Sequence, residues 1–121
     1  MDYNIDLNQV DITLIRGVSE VFRFWGWEKV DGEGNIVPWD LTGKEIRVQF
    51  KSDLNGPAEL ELTVANGGLK LFSPTKLDLI FGEKTLELRK DIYYYDVLIV
   101  ENGERITTVR GKLILTGVVT K

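Results

Sequence analysis

Asp31-Gly32-Glu33-Gly34-Asn35 sets oxygen-bearing side chains at alternate positions of a glycine-rich loop, the pattern by which short loops wrap a calcium ion. Glu33 stands where a second Asp or Asn is usual, the following positions are apolar, and no helical pattern flanks the loop. A hairpin turn accounts for the same residues. Trp25, Trp27 and Trp39 have the flat rings on which sugars stack, but Trp also anchors protein interfaces and fills cores. Asp and Glu are plentiful, yet no spacing selects two of them as the acid and base of glycoside hydrolysis. The chain contains no His and no Cys, which removes the usual general base, the commonest metal ligand and every thiolate at once. No catalytic residue, metal or cofactor is assigned, and a non-enzymatic role is expected.

What remains is surface that can meet another protein. Tyr3, Ile5 and Leu7 alternate with Asp2, Asn4, Asp6 and Asn8 in a polar N-terminal stretch, which suits an arm that adds itself to a neighbouring sheet edge. Tyr93 and Tyr95 belong on the core face of a strand, which leaves Tyr94 for an edge or an interface. Asp96, on the Tyr94 face, is in reach of Arg110 or Lys112 across a hairpin. The candidate interface residues are therefore Tyr3, Ile5, Leu7, Trp25, Trp27, Trp39 and Tyr94.

These residues must be held by strands. The 121 residues, 43% of them hydrophobic, make one domain with one core. We expect an arm over 1–9 and a single domain over 10–121. The clearest element is the run from Tyr93 to Thr120, two apolar-rich stretches around Glu101-Asn102-Gly103-Glu104, where Asn-Gly marks a tight hairpin turn. Tyr93, Tyr95, Val97 and Ile99 are expected to stack against Val109, Leu113 and Leu115. Earlier strands are read at Val10 to Arg16, ending at Gly17, and at Ser19 to Trp27, where Gly26 can form a bulge that turns one ring from surface to core. Short extended pieces follow at Ile36 to Trp39 and Leu69 to Phe72. Period-two alternation marks Ile46, Val48 and Phe50; Leu60, Leu62 and Val64; and Leu77, Leu79 and Phe81. Glu83 to Lys90 reads as about two helical turns pinned by Leu86 and Leu88. The expected fold is all-β: an immunoglobulin-like antiparallel β-sandwich of about eight strands with one short helical turn.

Composition sets further expectations. No apolar run approaches the roughly 20 residues that span a bilayer, and Met1-Asp2-Tyr3-Asn4 lacks the basic start of a secretory signal, so a soluble protein is expected, without a membrane partner. Absence of Cys suits synthesis in a reducing cytoplasm. With 15 basic and 19 acidic residues the net charge is -4, and the signs are interspersed, which argues against a nucleic-acid partner.

Several short motifs recur together: Arg16-Gly17, Phe22-Arg23-Phe24, Asp31-Gly32, Asp40-Leu41-Thr42-Gly43, Thr85 with Leu88, Tyr93-Tyr94-Tyr95-Asp96 and Arg110-Gly111. From Ile12 through Thr120 this pattern resembles a small β-sandwich family of tailed bacteriophages and prophages, seen at the N-terminus of the siphophage baseplate upper protein. Val18 in place of the usual Asp, and Gly117 in place of a common Pro, depart from it. The resemblance implies a virion structural protein made in the host cytoplasm. Its place would be a tail, baseplate or fibre-attachment assembly, in contact with other virion proteins and as a homo-oligomer or part of a symmetric assembly. A carbohydrate-binding module using exposed Trp rings and a capsid-surface decoration protein are the alternatives.

Overall fold

The computed structural model describes residues 8–18, 20–24 and 27–117. Eleven strands are present among them: β1 (Asn8–Gln9), β2 (Ile12–Ile15), β3 (Val21–Phe24), β4 (Glu28–Val30), β5 (Ile36–Pro38), β6 (Glu45–Lys51), β7 (Leu60–Thr63), β8 (Leu69–Ser73), β9 (Lys76–Ile80), β10 (Ile92–Glu101) and β11 (Glu104–Thr116). One turn of 3-10 helix, Lys84–Glu87, precedes β10. The chain is all-β, as the alternation and turn signals predict.

The last two strands form the long hairpin. Asn102 and Gly103 both have positive φ, 52° and 81°, the backbone that a two-residue turn matched to strand twist requires. Tyr93 faces Leu113, Val97 faces Val109, and all the odd-numbered residues of β10 are buried. A bulge after Val97 places Thr108 as an extra residue, and its buried hydroxyl donates to the Val97 carbonyl at 3.2 Å.

The strands assemble into three sheets rather than two. A six-stranded sheet runs β1-β11-β10-β6-β7, with β2 also on β11; a three-stranded sheet runs β3-β9-β8; and β4-β5 is a separate hairpin. The inner faces of the two larger sheets share one core, where Phe50 stacks on Tyr95 at 5.5 Å and meets Phe81 edge-on at 5.6 Å. Each large apolar side chain enclosed there contributes about 1.5–3 kcal/mol.

Three expectations are corrected. The six-stranded sheet is mixed, because β1 and β2 lie parallel to β11. A parallel pair needs a long crossover, and the intervening chain supplies it, without an α-helix among the described residues. Asn8 and Gln9, assigned to the arm, already pair with Val109 and Arg110. The helical segment is a single turn: Leu86 is exposed, while Thr85 within it and Leu88 just after it are buried.

Gly111 explains how the first strand closes on the last. A Cβ there would lie 2.0 Å from the Val10 carbonyl oxygen, so only glycine admits that carbonyl, which accepts a hydrogen bond from the Tyr95 hydroxyl. Burial pushes that hydroxyl's pKa well up, and the charge of Asp11 adds to the effect. Arg16 and Gly17 make a second joint. The Arg16 guanidinium donates to the carbonyls of Leu88 and Lys90 and to the carboxylate of Asp91, while Gly17 N–H donates to the buried Thr85 hydroxyl at 2.7 Å.

Candidate interaction surface

The motifs that carry the resemblance are spent inside the fold. Phe22 and Phe24 pack edge-to-face at 5.0 Å, and Asp40 accepts from the Thr42 amide within its turn. The Asp31 carboxylate is occupied in the same way: Oδ1 accepts from the amides of Glu33 and Asn35, both at 2.9 Å, and these bonds hold its pKa below the usual carboxylate range. The oxygen that a calcium loop would use thus shapes the β4-β5 hairpin turn, the reading that the sequence favours. Among the described residues no group of three or more acidic side chains converges as metal ligands.

Two of the three Trp rings are also internal, which corrects their assignment to an interface or a sugar platform. Trp39 is fully buried and Trp27 is 6% exposed. Trp27 N–H donates to the Thr75 carbonyl and Trp39 N–H to the Trp27 carbonyl, which folds the hairpin edge over the β8-β9 turn and drives both rings inward. Phe24 and Trp27 are three residues apart, yet both are buried and touch edge-on at 5.3 Å. An uninterrupted strand cannot do this, and Trp27 belongs to neither β3, which ends at Phe24, nor β4, which begins at Glu28. Tyr3, Ile5, Leu7, Trp25 and Gly26 lie outside the described residues.

Glu101 binds this region together. It is 7% exposed, and its Oε1 accepts from Trp39 Nε1 at 2.9 Å and faces Lys44 Nζ at 3.1 Å, with Lys29 Nζ at 4.0 Å. One carboxylate at the tip of β10 therefore ties the β4-β5 hairpin and the segment entering β6 to the long hairpin.

Tyr94 is half-buried on the outer face of the six-stranded sheet, between Lys112 and Lys51 in register, on a central strand rather than an edge. With Gln9, Leu54 and Arg110 it lines a shallow groove of about 230 Å³. A second groove, about 340 Å³, runs beside β6 and the end of β7 past Lys44, Arg47, Glu61 and Val64. Both are small or open by the standard of ligand sites, about 300–1,000 Å³ and mostly enclosed. Asp96 does not pair with Arg110, although the two are opposite in register; burial raises its pKa, and Lys51 offsets this in part.

The alternation of β8 and β9 did not single out the outer face of the three-stranded sheet. There Arg23 Nε and Nη2 bind the two oxygens of Asp78 at 2.6 and 2.9 Å, and the guanidinium lies 3.7 Å from the centre of the Phe72 ring. Asp78 is 6% exposed, and the Arg23 hydrogen bonds lower its pKa against the effect of burial. Phe72 is 54% exposed, on the same face of β8 as Lys70 and opposite to Leu69 and Leu71. Lys76 Nζ stands 5.9 Å from the same ring, and Lys70 is opposite Asp78. The Phe-x-Phe motif spanning Arg23 was the only signal that touched this site, and it reports packing.

No family model matches the chain, and no curated protein matches it.

Proposed function

We propose that this protein is a non-enzymatic structural module of a bacteriophage virion, built on an immunoglobulin-like sandwich and acting through contacts with other proteins in a tail, baseplate or fibre-attachment assembly. One observation carries the reading: the acidic, aromatic and glycine motifs are consumed by joints of the fold, while the outer faces of two sheets keep shallow, charged and aromatic surface. Such surface suits extended protein contact, where a few aromatic and Arg residues supply most of the affinity. Among the described residues β7 and β8 are edge strands, which suit strand addition by neighbours. The virion assignment rests on the sequence resemblance. A sugar platform of Trp27 and Trp39 is not favoured, since both rings are buried.

Mass spectrometry of purified particles from the host carrying this gene, with light scattering of the recombinant protein, tests the reading. Stoichiometric presence in particles and a multimeric mass are expected. Absence from particles together with a monomeric mass would overturn it.

A further inference from the structure

We propose that the outer face of the three-stranded sheet, around Arg23, Phe72, Lys70 and Lys76, is a binding site for an acidic, extended polypeptide segment of a partner protein. This deepens the reading of the chain as an attachment module and rests on it for the biological setting only. Charge supplies the first reason. Three cations surround a single carboxylate, Asp78, on a chain whose net charge is -4, so the patch opposes the sign of the whole molecule. A carboxylate-bearing segment is attracted here, whereas a long nucleic acid meets the repulsion of the remaining surface.

Preorganisation supplies the second. The two-point bond to buried Asp78 fixes the Arg23 guanidinium, which sits over the Phe72 ring. A cation already held in place loses little rotamer freedom on binding, so more of its attraction appears as affinity. Shape supplies the third. Phe72 lies on β8, an edge strand of its sheet, and Val21 is exposed on the opposite edge strand, β3. An extended segment along β8 would meet the backbone of an edge strand, where main-chain hydrogen bonds supply affinity, and beside it an aromatic face and lysine ammonium groups that select acidic and apolar side chains.

The test is fluorescence anisotropy of the recombinant chain with a labelled peptide of alternating Glu and Leu, against a Lys-Leu control of the same length. We expect the acidic peptide to bind, at least tenfold more tightly than the control, and to weaken as salt is raised. The pair K70E/K76E should abolish that preference, and F72A should weaken binding about tenfold. Both changes lie at exposed or half-exposed positions, and circular dichroism checks that the variants fold. Equal binding of the two peptides, or binding unchanged in folded K70E/K76E, would overturn the proposal. So would chemical-shift changes confined to the Tyr94 groove. This readout does not depend on particles, so a virion protein without the site and a site outside a virion give different results.

Discussion

Asp78 and Glu101 are almost equally removed from water, at 6% and 7% exposure, yet the fold uses them differently. Asp78 pairs across one ladder with Arg23 on the neighbouring strand, and the pair points outward beneath an exposed aromatic ring. Glu101 joins segments far apart in the chain, and one of its partners is the indole N–H of a Trp that water does not reach. A buried acid with a solvent-facing partner organises a surface; a buried acid between distant segments locks a joint. Burial alone does not tell them apart, because what matters is whether the partner can be hydrated when the acid is removed.

The largest effect should come from Glu101→Ala, which takes the acceptor from Trp39 and leaves Lys44 and Lys29 without their shared counter-charge. A loss of about 3 kcal/mol in urea unfolding is expected. Glu101→Gln keeps an acceptor and should cost less. Asp78→Ala should cost about 1–2 kcal/mol, since Arg23 is partly exposed and rehydrates. Equal losses for the two Ala variants would break the comparison.

Acid should separate the pair from its surroundings. Because the folded pKa of Asp78 is lowered, its contribution to stability is complete above the ordinary carboxylate value of about 3.9 and is lost as pH falls through the lower folded value. The stability curves of the wild type and Asp78→Asn should therefore converge below about pH 4. Divergence that persists there would assign the effect to packing rather than charge.

Asp96 supplies the contrasting third case, a half-buried acid with a raised pKa and no ion pair among the described residues. Its neutral form fits the fold better, so its carboxylate lowers stability at neutral pH, and that cost disappears as pH falls through the raised value. Asp96→Asn should raise stability by about 0.5 kcal/mol at pH 7, with the gain shrinking in acid. A loss at pH 7 would show that the carboxylate is stabilised by a neighbour such as Arg110.

Local pattern made much of the architecture legible. Period-two spacing marked the core face of β6 and β10, and Asn102-Gly103 marked the turn, because both depend on residues close in sequence. Val64 shows the limit. It continues the alternation of Leu60 and Leu62 but is exposed, since β7 ends at Thr63 and the chain turns away. Phe72 shows a different limit: alternation with Leu69 and Leu71 puts its ring on the outer face, but the order β3-β9-β8 decides that Arg23 lies against it.

The sequence by itself determined that the chain is all-β, that its last hairpin is long, and that chemistry needing His or Cys is absent. Only the tertiary structure decided that the first strands lie parallel to the last, that Trp27 and Trp39 are core, and that Arg23, Phe72 and Asp78 share a surface. Alternation says which side chains lie on the same side of a strand. It does not say which side the rest of the chain will cover, and contacts between residues tens of positions apart leave no periodic trace.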